Sequence, residues 1–402
     1  MPVESVLIVY DFAEINGGQA KVAIDSSRLL ADRGIDVTFF AACGPEDPAL
    51  DHPKITVENL GQADILNEKS RLKAMARGIW NPEARKRLRQ RAASMDPETT
   101  VLHCHGYAKA LSPSIGPELV SGPLKSVYTM HEYFLACPNG GFYDYQKNEI
   151  CTRKALSASC LTTNCDVRHP AHKVWRVARQ AATWGPGRMP RGLRDVIYIS
   201  ETQKRAMAGY MGPRTRMHHV PNPVPLQDLE PVRASENDIF LFIGRFNPEK
   251  GAAIFAEAAR KVGVRAVFIG DGAETEAIRA VNPDAELVGW KSPAEVQDWI
   301  GRARALVFPS LWYEGQPLVP LEALARGVPV VCGTWSAAVE HVEDGINGIH
   351  YTEPGAAALA DALDRVKTLP NFDPAPVREA VDPEQHYNRL ISVYNGLLEQ
   401  DV

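Results

Sequence analysis

No stretch of this 402-residue chain is long and apolar enough to cross a bilayer as a helix, which excludes a helical membrane span. Pro2, Val3 and Glu4 lead directly into the apolar run Val6–Val9 with no signal peptide, so the expectation is a cytoplasmic protein. Cysteine is scarce and odd in number, seven in all, so complete internal pairing is impossible, and a reducing compartment disfavours disulfides in any case. No Cys-x-x-Cys knuckle occurs. The G-x-G-x-x-G turn of a dinucleotide site is absent after the first strand, which removes the main support for hydride transfer. There is no long repeat and no low-complexity tract. The net charge is -5 and no nucleic-acid-binding motif appears, so nucleic acid is not expected as a partner.

What is present is the composition of a globular protein too long for one core, and two domains are expected. The charge is uneven. Residues 1–200 hold 25 Lys and Arg against 21 Asp and Glu, and the remainder 19 against 28. The positive excess is concentrated in 69–93, with nine basic residues and one acidic, and in 168–194, with seven basic and none acidic. An anionic partner on one side of the molecule follows from that asymmetry.

Apolar runs of strand length alternate with segments of helical periodicity in both halves, the pattern of parallel sheets wrapped by helices, an α/β fold. In the first half, Val6–Tyr10 reads as a strand, Asn16-Gly17-Gly18 as a loop and Gln19–Asp32 as a helix. Glycines there let a ligand approach the backbone at the helix start. Val101–Gly106 reads as a strand with His103 and His105 on one face, and Val127–Glu132 as the next, ending at His131 and Glu132. Ligands bind at strand C-termini in such sheets. Pro221-Asn222-Pro223-Val224-Pro225 is stiff and non-helical. Strands at Ile239–Ile243, Ala266–Ile269, Glu286–Val288 and Ala305–Phe308 then alternate with helices at Gly251–Val262, Ala273–Val281 and Pro293–Arg302.

The unit from Leu306 to Val331 organises the rest. A buried strand ends at Pro309-Ser310, a loop carries Glu314, and from Leu318 a helix carries Glu322 until Gly327-Val328-Pro329 stops it. The first amides of that helix, at Leu318 and Val319, face a potential anion, whereas Pro317 has no amide to offer. Glu322 is placed to accept hydrogen bonds from ribose hydroxyls and Glu314 to face a sugar. Arg245 and Lys250, in FIGRFNPEKG, follow a strand and suit a diphosphate leaving group.

In the setting WYEGQPLVPLEALARGVPVV, the Glu-x7-Glu spacing resembles the glutamate pair of the retaining glycosyltransferases of family four, the glycogen-synthase and bacterial mannosyltransferase type. GGQAKVAIDSSRLLADRGIDVTFF resembles the first β-α unit of that family, YTMHEY the setting of its active-site histidine, and Arg245 with Lys250 its G-R-x-x-x-x-K-G pattern. The resemblance implies the GT-B fold, two Rossmann-like doubly wound parallel-sheet domains facing a cleft. The first would span 1–222, with 384–402 returning as a C-terminal helix, and the second, which binds the nucleotide sugar, 236–383. It implies transfer of a sugar from a nucleoside diphosphate to a hydroxyl with retention and no obligatory metal. Glu314 and His131 would be catalytic; Gly17, Gly18, Arg245, Lys250, Gly270, Val288, Gln316, Leu318, Val319 and Glu322 would bind the donor; His105 and Glu132 would lie on the acceptor side. The chain departs from the family where E-G-F-G is Glu314-Gly315-Gln316-Pro317, and where Gly-Gly precedes a later glutamate but here Ser336–Val339 precede Glu340. A nucleotide-sugar epimerase and a non-catalytic sugar-nucleotide sensor share the architecture and remain alternatives.

Two further expectations come from the residues themselves. Cys137, Cys151, Cys160 and Cys165 fall in one insertion after His131, which suggests a structural zinc, an iron-sulfur cluster or four unligated thiols. The basic segments Lys69–Trp80, Pro82–Ala93 and Ala171–Trp184 read as helices. The last puts Lys173, Arg176 and Arg179 along one side, a face that, with Trp80, suits an anionic membrane surface and a lipid-linked glycan acceptor.

Overall fold

Val6, Leu7, Ile8 and Val9 are fully buried, because the strand that carries them, β1 (Ser5–Phe12), has a partner on each side and helices over both faces. The computed structural model describes residues 2–224 and 229–400. Pro225 of the stiff segment lies outside them, as do Met1, Asp401 and Val402 at the ends of the expected first domain.

After β1 come α1 (Gly18–Asp32), β2 (Asp36–Cys43), β3 (Ile55–Asn59), α2 (Arg71–Ile79), α3 (Pro82–Ala93), β4 (Thr100–Cys104), α4 (Gly116–Ser121) and β5 (Lys125–Met130). A short antiparallel hairpin, β6 (Tyr143–Asp144) with β7 (Glu149–Ile150), precedes α5 (Ala158–Thr162) and α6 (Pro170–Trp184). β8 (Asp195–Tyr198), α7 (Glu201–Ala208) and β9 (Arg216–His219) follow. Beyond the proline segment the chain forms β10 (Ile239–Ile243), α8 (Ala252–Val262), β11 (Arg265–Ile269), α9 (Thr275–Val281), β12 (Glu286–Gly289) and α10 (Pro293–Gly301). It continues with β13 (Ala303–Phe308), α11 (Leu318–Ala325), β14 (Val330–Gly333), β15 (Gly348–Tyr351), α12 (Ala356–Val366), α13 (Ala375–Ala380) and α14 (Pro383–Leu398).

The chain divides into two units, the first holding 2–141, 152–223 and 383–400, the second 142–151, 224 and 229–382. Residues 142–151, which carry the hairpin, go with the second unit although sequence order sets them inside the first. Among the described residues the first unit has a seven-stranded parallel sheet in the order β3-β2-β1-β4-β5-β8-β9, and the second a six-stranded parallel sheet in the order β12-β11-β10-β13-β14-β15. Strand order reverses at β1/β4 in one sheet and at β10/β13 in the other. A crevice outside the strand C-termini at such a reversal is where open α/β sheets bind ligands.

Local chemistry fixes the elements around those crevices. α3 starts where Asn81 caps it, the Oδ1 accepting from the amide of Ala84 at 3.2 Å, with Pro82 in the first position. α10 opens on a capping box between Ser292 and Glu295. In the second unit the turn after β11 lies against the loop after β10. Gly270 has a φ of +137°, and a Cβ there would sit 1.9 Å from the carbonyl oxygen of Gly244, so only glycine fits. A Gly270→Ala variant should therefore lose about 3 kcal/mol or more from overpacking and backbone strain, read as a lowered midpoint in urea. Wild-type stability in that variant would show that the two turns are not pressed together.

In the first unit α14 closes over the sheet. Its Tyr394 hydroxyl lies 2.6 Å from Nδ1 of His103, whose Nε2 is 2.6 Å from Thr129 Oγ1. Its His386 lies 3.1 Å from Ser26 Oγ, and its Nδ1 2.8 Å from the carbonyl of Pro221. Burial drives His103 and His105 well below the ordinary histidine range, His131 down to about 3 and His386 down to about 4. A histidine that stays neutral when folded but titrates near 6.5 when unfolded binds more protons in the unfolded chain as pH falls. Stability is thus fully present above about pH 6.5 and falls below it, by up to about 1.4 kcal/mol per histidine per pH unit. The thermal midpoint should drop between pH 7.5 and 5.5; a flat profile would mean that these rings charge in the folded protein.

Candidate active site

In the second unit β10 and β13 deliver their loops side by side. Lys250, after β10, donates from Nζ to Oε1 of Glu314, in the loop after β13. The same oxygen accepts from Ser310 Oγ at 3.0 Å and from Trp312 Nε1 at 2.6 Å. Burial pushes the Glu314 carboxyl up, but the Lys250 charge and the three donors more than offset it, so the group stays below the usual carboxylate range and ionised. Lys250 also sits 4.9 Å from the centre of the Trp312 ring. Leu311 is tied back to the β10 loop by its amide, 2.8 Å from the carbonyl of Glu249, and Trp335 donates from Nε1 to the carbonyl of Ser310 at 2.8 Å. Gly251 lets the two loops approach: its φ is +71°, and a Cβ would lie 2.4 Å from the carbonyl of Pro309.

The helix follows as the sequence implies. α11 begins at Leu318 after Pro317, with no side-chain cap, which leaves the amides of Leu318 and Val319 to a ligand. Glu322, one turn on, accepts from Gln297 Nε2 of α10 at 3.0 Å. Gln316 is buried beside the helix start. Arg245 is exposed in the turn after β10. Gly270 and Val288 stand at the C-terminal ends of β11 and β12, linked by the Gly270 amide to the Gly289 carbonyl at 3.1 Å.

Of the two cations that the sequence offers for a diphosphate, Lys250 is bonded to Glu314 and Arg245 faces solvent. Sequence reasoning also missed Ser310 and Trp312. The signal was available in Ser310-x-Trp312-x-Glu314, an alternation that points three side chains the same way along an extended loop. Trp290, 60% exposed just past β12, was missed as well.

In the first unit Gly17 precedes α1, a Cβ there would meet nothing within 4 Å, and the helix start at Gly18 has no side-chain cap. Gln19 donates to the carbonyl of His105, and a Cβ at Gly106 would fall 2.4 Å from Gln19 Nε2, so a side chain there would displace that amide. His103 and His105 share a face, with ring centres 4.0 Å apart. His131 stacks on His105 at 5.2 Å, its Nε2 3.0 Å from His105 Nδ1. Asp11, buried at the end of β1, accepts the amides of Lys109, Ala110 and Leu111 at 2.9, 2.8 and 2.8 Å and so shapes the loop after β4. Glu132 follows His131. Burial pushes its carboxyl up, against the opposing cations Lys109 and Arg179, to about 7. It can hold or release a proton near neutrality.

Two groupings expected from the sequence are not formed. Among the described residues, no group of three or more His, Cys, Asp or Glu side chains is placed to hold a metal ion. Cys151 belongs to the second unit and the other three insertion cysteines to the first. The buried ammonium of Lys173 lies 3.1 Å from Cys165 Sγ and 3.7 Å from Cys160 Sγ, where a zinc ion would put a like charge. The basic face of α6 is the second. Lys173 and Arg179 are buried, 5% and 4% exposed, and Arg176 pairs with buried Asp166 at 2.7 Å. On α3, Arg87 and Arg91 pair with Glu58, and Arg85 with Glu118. Lys173 and Arg179 therefore serve packing, and the α3 arginines are held in ion pairs at the surface. Beside the exposed Arg71 and Lys73, α2 and α6 also expose apolar side chains: Leu72 at 80%, Met75 at 52% and Val174 at 70%.

The chain matches the family described as Glycosyltransferase Family 4 over residues 16–228, and that described as Glycosyl transferases group 1 over 237–368. It is 27% identical over 139 residues to the lipopolysaccharide 1,2-N-acetylglucosaminetransferase of Salmonella typhimurium, an alignment covering 30% of this chain and 36% of that one. Across this and other curated relatives it spans 32% to 59% of their length. Sucrose-phosphate synthase of Thermosynechococcus elongatus superimposes with a TM-score of 0.64 at 18% identity, over 98% of this chain and 96% of that one. Anabaena HepE, solved in complex with UDP and glucose, gives 0.64 at 15% identity over 98% and 100%. At such identities the likeness shows the GT-B fold. With the first family matched over more than half of its residues, the chain belongs to glycosyltransferase family 4.

Proposed function

We propose that the chain is a retaining glycosyltransferase that moves a sugar from a nucleoside diphosphate sugar to a hydroxyl of a glycan acceptor in cell-envelope or polysaccharide synthesis. One observation carries the reading. Glu314 is kept ionised by Lys250, Ser310 and Trp312 at a strand reversal, next to a helix start with uncapped amides and a second glutamate one turn along. Glu314 orients the sugar and faces the positive charge that develops on it. The amides of Leu318 and Val319, with Arg245, take the diphosphate charge that grows as the glycosidic bond breaks. Glu322 accepts from the ribose hydroxyls, and the edge at Gly270, Val288 and Trp290 meets the base. The acceptor oxygen bonds to the anomeric carbon on the face the phosphate leaves, and its proton passes to the departing phosphate oxygen. Retention follows.

On the first unit, Gly17 and Gly18 receive the donor side, and His131, seated on His105, contacts the sugar. The complexes of HepE with UDP and glucose and the envelope polysaccharide enzymes among the relatives support a nucleotide donor and a glycan acceptor. Among the described residues no helix is long and apolar enough to cross a membrane. The exposed apolar residues of α2 and α6 support peripheral contact with lipid, and with it a lipid-linked acceptor at the inner face of the membrane.

Glu322→Ala should raise KM for the donor, whereas Glu314→Ala should lower kcat by about a hundredfold or more with little change in KM. Wild-type constants in both variants would place the donor elsewhere. Lys250→Met removes the charge that offsets the burial of Glu314, so its pKa rises and the acid limb of the rate profile moves to higher pH. An unmoved limb would mean that ionised Glu314 is not required.

A further inference from the structure

The first unit contains a cavity of about 670 Å³ beside α2, the start of α6 and the loop after β4. That volume lies within the range of small-molecule sites. Five cations line it: Arg71, Lys109, Arg168, Arg176 and Arg179. Arg176 is matched by Asp166. Among the described residues no carboxylate pairs with the other four. Arg179 illustrates the consequence. It is 4% exposed, donates to the carbonyls of Ala108 at 2.9 Å and Pro138 at 3.3 Å, and lies 4.4 Å from the centre of the Phe134 ring and 5.2 Å from that of Trp175. Backbone and aromatic faces hold a charge there that makes no direct ion pair, the carboxylates of Glu132 and Asp11 acting on it only from a distance, and burial lowers its pKa to about 10. The lining carboxylate Asp64 is engaged by its own turn, accepting the amides of Leu66 at 2.6 Å and Asn67 at 2.9 Å.

Like charges gathered around one cavity repel, and the arrangement is stabilised by an anion of matching size. The walls say what accompanies it. Ile65, Met75, Phe134 and Trp175 line the same cavity, and Trp175 is fixed across to α2 by a bond from Nε1 to the carbonyl of Met75 at 3.0 Å. At and next to the lining positions, Leu66, Leu72, Met75, Val167 and Val174 are each more than half exposed. A cationic site with an aromatic wall and an apolar rim fits a ligand with a phosphate at one end and an apolar body at the other.

We infer that this cavity binds the phosphate or diphosphate group of the acceptor, carried either on a lipid or on a free phosphorylated sugar. That its ligand is the acceptor rests on the glycosyltransferase reading; that its ligand carries phosphate rests on the cavity alone. Calorimetric titration of the full chain with farnesyl diphosphate, inorganic diphosphate and glucose 1-phosphate tests it. Arg71 and Arg168 are exposed and pair with no carboxylate among the described residues, so Arg71→Glu with Arg168→Glu should fold with an unchanged thermal midpoint. That double variant should bind the diphosphate probes about a hundredfold more weakly, because two charge-assisted hydrogen bonds to the anion are removed. Farnesyl diphosphate binding more tightly than inorganic diphosphate supports the site with a lipid-borne phosphate; equal binding, or preference for glucose 1-phosphate, supports it with a soluble one. Absence of binding by all three probes overturns the inference. So does affinity unchanged in the double variant but lost in Arg245→Ala, which would put the probes in the nucleotide site. Nucleoside diphosphate sugars, read by thermal shift, should raise the midpoint equally in wild type and double variant. Phosphate binding at the cavity with no response to any such sugar would support the cavity while removing the donor reading.

Discussion

A carboxylate largely withdrawn from water must be given partners or be protonated, and the second unit is arranged around meeting that requirement at Glu314. Its ion pair with Lys250 ties the loop leaving β10 to the loop leaving β13, the two strands where sheet order reverses. Everything beside it depends on that tie. Gly251 has no side chain because the two loops must lie close, Trp335 holds the strand-end carbonyl of Ser310, and α11 starts where the loop delivers it. The same pair sets the electrostatics. A positive charge beside Glu314 keeps the carboxylate ionised, and ligand oxygens that approach Lys250 must share it.

The first unit meets a different demand with a different device. Its strand ends carry three rings, His103 and His105 buried and His131 half-buried, bonded to hydroxyls and to one another. Hydroxyls from Thr129 and Tyr394 satisfy His103 in its neutral form, and the C-terminal helix supplies one of them across a sequence separation of 291 residues. The helix therefore completes the hydrogen bonding of the sheet it covers.

Much of this was legible in the chain. The buried strands announce themselves as apolar runs, Asn81-Pro82 marks a helix start that the structure places at the same residue, and the spacing of Glu314 and Glu322 puts one glutamate before α11 and one within it. What escaped reading has physical reasons. β3 is an edge strand with half-exposed residues, so its Ile-Thr-Val-Glu-Asn lacks a buried run. The hairpin at 143–150 has two-residue strands, too short for a period. α12 shows helical spacing in Leu359, Leu363 and Val366, and its signal was present but unread. The basic residues of α6 mislead because charge alone does not say which way a side chain faces; Lys173 and Arg179 point inward, to thiols and carbonyls that lie far off in sequence or are themselves uncharged side chains.

Gly78 on α2 has a consequence for how such an enzyme changes over time. A Cβ there would fall 2.6 Å from the ring of Trp175, so α2 rests on α6 through one residue that must stay bare. Its outward positions, Leu72 and Met75 among them, bear almost none of that packing. Substitutions at Met75 alter the wall of the cavity, and at Leu72 the surface beside it, at little cost in folding free energy, whereas any change near Glu314 must first preserve a buried ion pair. The rim of that cavity is thereby freer to vary than the loops that hold the ion pair.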